Sequence, residues 1–154
     1  MQFGKDRVKF SKMRALLAGE KETGIHKPGG VNKDPSSAAG LLWMRRSVSF
    51  QVAIFDALLA GGDTVTLPKA TGKAYVDELE VYHGWLLKKI FSKVISSSPS
   101  REQFGEKLAP GVIQSMRQAI VDRDMQIFCT KLQPVLAEWK KVFADLDLED
   151  VRKV

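Results

Sequence analysis

The chain has 154 residues, of which 44% are hydrophobic and 27% are charged, a balance typical of one soluble globular domain rather than of a disordered segment. The formal net charge is +6, and the whole surplus lies in residues 1–50, which hold ten basic and four acidic side chains. A single cysteine, Cys129, excludes an intramolecular disulfide framework and a cysteine-based zinc site, and two histidines leave little material for a metal cluster.

The first predicted helix runs from about Asp6 to Glu22 and is followed by a loop rich in Pro, Gly and Asn. Its basic side chains favour a solvated face. Nucleic-acid binding by residues 1–50 stays open as a weaker alternative, because few aromatic residues are interleaved and no nucleic-acid motif accompanies them. We therefore expect no nucleic-acid partner.

The second predicted helix runs from about Ser36 to Leu59, with Asp34 or Ser36 as its cap. Apolar residues occupy two of its faces, and only a narrow polar strip remains, at Arg45, Ser49 and Asp56. A helix that is apolar on two sides is usually packed between layers.

The third predicted helix covers about Lys73 to Ile95, and helical spacing places His83 at the centre of its apolar face. The neighbours expected on that face are Val76, Leu79, Leu86, Leu87, Ile90 and Val94. Trp85 falls on the opposite, polar face with Lys88 and Lys89.

Three helices are predicted in the last third, at about Arg101–Leu108, Val112–Asp122 and Met125–Asp145. A weak alternation at Thr64–Leu67 is the one strand-like pattern, so the fold class is all-α. The acidic residues near the C-terminus are expected to form a solvated tail; they are Asp145, Asp147, Glu149 and Asp150.

Motifs of catalysis are missing from the sequence: it has no Gly-x-Ser-x-Gly, phosphate-binding loop or HExxH pattern. Cys129 is more simply explained as a small buried residue than as a nucleophile. We expect no enzymatic activity, no cofactor and no metal.

Three residues have both a structural and a functional interpretation. Trp43 offers a flat ring to a sugar, with Arg46 as a hydrogen-bond donor one turn away, or Trp43 is a core residue and the Arg46 side chain reaches out at the edge of the layer. His83 is either a satisfied core histidine or a ligand contact. Trp85 beside two lysines suits a membrane interface, or it is a surface tryptophan or packs against another helix.

Two sequence blocks resemble the signatures of the glycolipid transfer protein family. Leu41-Leu42-Trp43-Met44-Arg45-Arg46, followed by Phe50, is similar to its central-helix signature. Thr71-Gly72-Lys73-Ala74-Tyr75, leading to Tyr82-His83-Gly84-Trp85 and Lys89-Ile90-Phe91, is similar to the second. The segment from Lys9-Phe10 to Glu20-Lys21-Glu22 also resembles the upstream part of the family.

This resemblance implies a two-layer α-helical sandwich that encloses one glycosphingolipid, with residues 1–154 as a single domain. It assigns the lipid headgroup and amide to Trp43, Arg46 and His83, and membrane docking to Trp85, Lys88 and Lys89. It assigns the tunnel for the lipid chains to Phe50, Ile54, Leu79, Leu87, Phe91, Phe104 and Leu108. A tryptophan at position 43 favours a sugar over a phosphate headgroup.

One part of the family pattern has no counterpart here. The family carries an Asp-x-x-x-Asn-x-x-Lys set before the segment that matches Lys9-Phe10, and Asp6 with Lys9 does not reproduce it. The resemblance therefore implies an N-terminally shortened domain with weak headgroup recognition, whose exposed apolar surface could support a homodimer.

The resulting hypothesis is a non-enzymatic carrier that transfers a glycosphingolipid between membranes. We expect a cytoplasmic protein that binds membrane surfaces transiently, since the sequence shows neither an apolar signal region nor a run near the roughly 20 residues of a membrane span. The alternative is a truncated helical interaction module or a lipid sensor without transfer activity.

Overall fold

The computed structural model describes residues 12–154, and every helix or strand element in that range is helical. The α-helices are α1 (Met13–Glu22), α2 (Ser37–Gly61), α3 (Leu67–Glu78), α4 (Trp85–Ser96), α5 (Arg101–Leu108) and α6 (Gln114–Asp145). Single 3₁₀ turns lie at Gly62–Thr64 and Glu80–Tyr82. The all-α prediction is confirmed, while Asp6, Lys9 and Phe10 lie outside the described residues.

The chain divides into two compact units. Among the described residues, the first holds residues 12–47 together with Leu136–Arg152, and the second holds Val48–Val135 with Lys153–Val154. Helices α2 and α6 each contribute residues to both units.

The first unit has an apolar core built from α1, the start of α2 and the end of α6. Its members are all at most 3% exposed: Leu17, Ala38, Leu42, Val142, Phe143 and Leu148. Full burial of one such Leu, Val or Phe side chain stabilises the fold by about 1.5–3 kcal/mol relative to its exposure, so this cluster holds the three helix segments together.

A carboxylate from α1 completes the start of α2. Glu20 accepts hydrogen bonds from the backbone N–H groups of Ser37 and Ala38, each at 2.8 Å. Burial raises the pKa of Glu20, but these hydrogen bonds and the nearby His26 outweigh it, so that its pKa lies below the ordinary value. The first N–H groups of a helix need acceptors and favour negative charge, which is what Glu20 supplies. Ser36 adds the predicted cap, since its Oγ accepts from the Ala39 N–H at 3.0 Å.

The single helix predicted over Lys73–Ile95 is wrong, because the chain breaks between α3 and α4. Helix α3 begins earlier than expected, since Thr66 Oγ1 accepts from the Lys69 N–H at 3.4 Å and Pro68 lies in the first turn, where a missing N–H costs little. The weak alternation at Thr64–Leu67 forms no strand, since Thr64 ends a 3₁₀ turn and Leu67 begins α3. Gly84 then precedes α4 with extended backbone, at φ −70° and ψ 171°.

The break changes which side chains are buried. A helical phase counted from His83 carries neither back through the 3₁₀ turn at Glu80–Tyr82 nor forward across Gly84, so the apolar face predicted around His83 is wrong for four residues. They are exposed by 47–61%: Val76, Leu86, Ile90 and Val94. Leu79, which precedes the break, is buried as predicted.

The last segment is one helix, α6, where two were predicted with a gap after Asp122. Val121, Met125 and Cys129 are four residues apart and all at most 4% exposed, so one buried face continues through the expected gap. Pro134 lies inside α6 rather than at an end.

Within residues 12–154, no helix is both long enough and apolar enough to cross a membrane.

Candidate functional site

Trp43 and Arg46 lie one turn apart on α2 and contact each other. The Arg46 Cζ atom lies 4.9 Å from the centroid of the Trp43 ring, and an Arg46 Nη2 hydrogen bond to the Asp150 backbone oxygen holds the guanidinium in place. Arg46 is 4% exposed and Trp43 is half-buried. The structure thus brings two of the predicted headgroup residues together, as a flat aromatic ring beside a fixed cation.

The neighbouring Arg45 is also buried, at 6% exposure, so its predicted place on a polar strip is wrong. Its Nη2 donates to Glu149 Oε1, and its Cζ lies 5.6 Å from the Phe143 ring. A buried guanidinium needs an anionic or hydrogen-bonding partner, and a carboxylate 104 residues away in the chain supplies it.

Residues 146–152 pack within the first unit instead of forming the predicted solvated tail, although Asp145 and Asp147 are exposed as expected. Leu148 is 1% exposed and its carbonyl accepts from Asn32 Nδ2 at 2.8 Å. Asp150 accepts from Arg152 Nε at 2.9 Å and from the Asn32 N–H at 2.9 Å. Hydrogen bonds from Arg152 lower the pKa of Asp150 to about 2 against a smaller opposing effect of burial, so this carboxylate is ionised at neutral pH.

The loop before α2 approaches these residues closely at Gly30. A Cβ atom at that position would lie 2.8 Å from the Glu149 carbonyl oxygen, and the backbone φ of +74° is one that L side chains rarely adopt. Both facts require glycine at position 30 for residues 146–152 to keep their place.

His83 is buried at 5% exposure, and its partner is a tyrosine that the sequence interpretation did not single out. His83 Nδ1 lies 3.1 Å from Tyr75 Oη. Burial, and then Glu80, raise the pKa of Tyr75, so the phenol stays protonated at neutral pH and can donate to Nδ1. When Tyr75 donates to Nδ1, the neutral tautomer of the imidazole carries its proton on Nε2.

An aromatic neighbour and two backbone hydrogen bonds fix the His83 ring. The Phe91 ring stacks on Tyr75 at 4.8 Å and lies 4.9 Å from His83. On either side of His83, the Val154 N–H donates to the Tyr82 oxygen at 2.9 Å and the Gly84 N–H donates to the Val154 oxygen at 2.7 Å. The prediction that His83 is buried is confirmed, but the break between α3 and α4 buries it rather than the face of a continuous helix.

The predicted tunnel residues all lie in the second unit, in different surroundings. Ile54 and Leu79 are buried, Phe50 and Leu87 are half-buried, and Phe91 belongs to the His83 cluster.

The remaining two tunnel residues lie near an apolar cavity. Leu108 is 48% exposed and lines a cavity of about 290 Å³ together with Phe55, Val121, Asp124, Met125 and Phe128. The Phe104 ring lies 6.4 Å from that of Phe55, which in turn lies 5.2 Å from Phe128. Ligand pockets usually measure about 300–1,000 Å³, so this space suits part of an apolar chain rather than a whole two-chain lipid.

Trp85 is exposed by 70%, as the sequence predicted. Its ring lies 5.1 Å from Lys89 Nζ, while Lys88 Nζ lies 3.5 Å from Glu80 Oε1. Beside it, Leu86, Ile90 and Val94 form an exposed apolar row along α4. The exposed face of α4 is therefore broader and more apolar than the predicted Trp-Lys-Lys set.

Cys129 has the surroundings of a structural residue. It is 0% exposed and its Sγ donates to the Val52 oxygen at 3.8 Å. Burial, with a contribution from Asp56, raises the pKa of the thiol to about 12, so hardly any reactive thiolate forms at neutral pH. Within residues 12–154, no group of three or more His, Cys, Asp or Glu side chains is arranged to hold a metal ion.

Sequence reasoning missed Tyr75, Arg45 and Glu149 as parts of these arrangements. Tyr75 stood inside the second signature block, so that block already contained the signal. The Arg45–Glu149 contact joins residues 104 positions apart, and local periodicity carries no information about such a pair.

Comparison with known proteins decides the family. A sequence model described as "Glycolipid transfer protein (GLTP)" matches residues 1–110 of the chain. The chain belongs to the glycolipid transfer protein family. Glycolipid transfer protein 1 of Arabidopsis thaliana is 32% identical over 124 residues, which cover 79% of this chain and 57% of that relative. Glycolipid transfer protein A of Xenopus laevis is 27% identical over 151 residues, covering 91% of this chain and 68% of the relative.

Solved structures of the GLTP fold resemble the present one. A structure of FAPP2, described as selecting simple glycosphingolipids using the GLTP-fold, superposes with a TM-score of 0.82 at 20% identity and covers 99% of this chain and 71% of its own. The apo form of mouse ceramide-1-phosphate transfer protein gives a TM-score of 0.74 at 16% identity, with 90% and 64% covered. At these identities the likeness establishes the fold, which confirms the glycolipid transfer protein type of helical architecture.

Proposed function

We propose that this protein is a non-enzymatic carrier that binds a glycosphingolipid and transfers it between membranes. The observation that carries the proposal is the Trp43–Arg46 arrangement in a chain of this family: an indole face beside a guanidinium fixed at 4.9 Å. Relatives named as glycolipid transfer proteins support the assignment. The chain spans 57% of the length of the plant relative and 68% of that of the frog relative. We also propose residues 1–154 as one domain, which the 99% coverage against a single GLTP-fold structure supports.

We assign headgroup recognition to an indole, a guanidinium and an imidazole, at Trp43, Arg46 and His83. Arg46 covers one face of the Trp43 indole, and we assign the opposite face to a sugar ring. We assign the amide region of a ceramide to His83, whose Nδ1 lies 3.1 Å from Tyr75 Oη. A buried polar group left without a hydrogen-bond partner costs about 1–3 kcal/mol. A lipid that has no group to pair with His83 would therefore bind less tightly.

Chain burial supplies most of the binding free energy. Each methylene removed from water contributes about 0.8 kcal/mol, so ten methylenes outweigh several hydrogen bonds. We propose that the cavity lined by Leu108 and Phe128 takes the end of one chain. The other assigned apolar residues would line the path toward it: Phe50, Ile54, Leu79, Leu87, Phe91 and Phe104.

Membrane docking is assigned to α4. Trp85 is 70% exposed and Leu86, Ile90 and Val94 are 47–61% exposed, which is an unusual concentration of apolar side chains in water. Lys88, Lys89 and Lys93 lie on the same helix. Indole rings and apolar side chains suit the headgroup depth of a bilayer, and lysines suit anionic lipid. We accordingly propose a cytoplasmic protein that meets membranes transiently; formation of a homodimer stays a prediction.

The test is transfer of fluorescent glucosylceramide between vesicles. Trp43→Ala should abolish transfer while helicity by circular dichroism is unchanged, and Trp43→Phe should keep part of it because a flat ring remains. Met44→Ala is a matched control, since Met44 is the next residue on α2 and is 55% exposed. Full transfer by Trp43→Ala would refute the sugar-stacking role. Binding without transfer by the unmodified protein would make it a lipid sensor.

A further inference from the structure

Two adjacent arginines next to the proposed headgroup site share one carboxylate. Arg45 and Arg46 have side chains that are 7% and 4% exposed. Glu149 Oε1 accepts from Arg45 Nη2 and lies 3.8 Å from Arg46 Nη2. The nearby Asp150 carboxylate is engaged elsewhere, by Arg152 and the Asn32 N–H.

The charge balance of this trio depends on Glu149 alone. Two guanidinium groups and one carboxylate sum to +1, and without the charge of Glu149 the sum is +2. The Arg46 guanidinium is also the group that lies over Trp43, so the charge of Glu149 acts close to a ligand on that indole.

A phosphate headgroup and a sugar headgroup respond oppositely to that charge. A phosphomonoester carries a charge of about −1.5 to −2 at pH 7 and pairs well with arginine forks, whereas a sugar is neutral. A carboxylate already paired with both arginines competes for the same donors and repels the phosphate. The two guanidinium groups are buried and the Glu149 side chain is 30% exposed, so this repulsion is only partly screened by solvent.

We infer that Glu149 determines headgroup specificity: it neutralises Arg45 and Arg46 so that the site accepts a neutral sugar and rejects a phosphate. This inference rests on the proposed lipid-carrier function. It assigns a binding role to residues 146–152, which the sequence suggested only as a solvated tail.

The experiment measures the ratio of ceramide-1-phosphate to glucosylceramide transfer between phosphatidylcholine vesicles that carry a trace of labelled lipid. Glu149→Gln should raise that ratio about tenfold or more, because like-charge juxtaposition in a binding site is penalised at least that strongly. Glu149→Asp, which keeps the charge, should leave the ratio near that of the unmodified protein. Glu138→Gln is the matched control, since it removes the same charge from an exposed position on α6.

A second pair of variants keeps the test decisive if Glu149→Gln alone unfolds because it leaves Arg45 without its carboxylate. Arg45→Gln and the double variant Arg45→Gln/Glu149→Gln differ only in the charge of residue 149. The double variant should carry relatively more ceramide-1-phosphate than Arg45→Gln, and its cluster charge equals that of the unmodified protein.

The outcomes separate the inference from the function on which it rests. An unchanged ratio in folded variants that still move glucosylceramide would overturn the role of Glu149 and leave the carrier function intact. Transfer of neither lipid by the unmodified protein would refute the carrier function and this inference with it. An equal shift in Glu138→Gln would trace the effect to net charge at the membrane and would also overturn the inference.

Discussion

Removal of the Tyr75 hydroxyl tests how His83 is prepared for binding. Tyr75→Phe deletes the group 3.1 Å from His83 Nδ1 but keeps the ring that stacks on Phe91 at 4.8 Å. The lost hydrogen bond contributes about 0.5–1.5 kcal/mol, and the buried nitrogen left without its partner adds to the cost, so we expect the free energy of unfolding to fall by about 1–2 kcal/mol. For a chain of this size, that corresponds to a decrease in Tm of about 2–8 °C.

The more specific effect is on the tautomer of His83. Without a donor at Nδ1, the imidazole no longer favours a proton on Nε2, and we expect glucosylceramide transfer to fall by more than the stability loss explains. Nitrogen-15 NMR of the imidazole rings reports the tautomer directly.

His26 is an internal control, because its Nδ1 accepts from the Lys33 N–H at 3.0 Å, away from Tyr75 in the sequence and in a different unit. Phe91→Leu is the second control, since it disturbs the stacking and keeps the hydroxyl. Unchanged His83 shifts and unchanged transfer in Tyr75→Phe would refute the reasoning.

Two further predictions concern α4 and the residues after α6. Trp85→Ala should weaken binding to anionic vesicles in a sedimentation assay by about 2 kcal/mol, because roughly 80 Å² of indole area would no longer leave water, and Tm should barely change. A large fall in Tm, or an equal loss of binding in the exposed control Met116→Ala, would contradict docking by Trp85. The pKa of Asp150 is depressed to about 2 from 3.8, so its stabilisation, about 2 kcal/mol, is fully present above pH 3.8 and is lost as the pH falls through 2. The stability gap between the unmodified protein and Asp150→Asn in urea titrations should close over that window, and a gap that is constant with pH would disprove it.

Local patterns predicted the helices that begin and end on local signals. The bounds predicted for the second helix differ by one or two residues from the observed Ser37–Gly61. The helix Arg101–Leu108 has the same bounds in the prediction and in the structure. Ser100 explains the latter, because its side chain and that of Gln103 form a reciprocal cap that is visible in the sequence. The burial of Cys129 and the exposure of Trp85 were also predictable from the apolar and polar neighbours at helical spacing.

The errors came from features that periodicity does not encode. The apolar spacing across Lys73–Ile95 continues through Gly84, so the pattern hid the break that separates α3, which ends at Glu78, from α4, which begins at Trp85. The burial of Arg45 depends on Glu149, and the place of Glu149 depends on a glycine at position 30 in a distant loop. Such contacts are decided by tertiary packing, which overrides the tendency of charged residues to lie on a polar face.

The Arg45–Glu149 and Arg46–Asp150 contacts have a consequence for the order of events during synthesis. Each joins residues 104 positions apart, and α2 leaves the ribosome long before residues 146–152 have been made. Synthesis adds about 5–20 residues per second, so the two arginines spend roughly 5–20 seconds without these partners. A nascent chain can form α2 and its apolar contacts in that time, but it cannot yet hold the guanidinium of Arg46 over Trp43 through Asp150. Binding of a lipid at the proposed headgroup site would therefore begin only after residues 146–152 have been made. A chain that ends before these residues would not bind its lipid there.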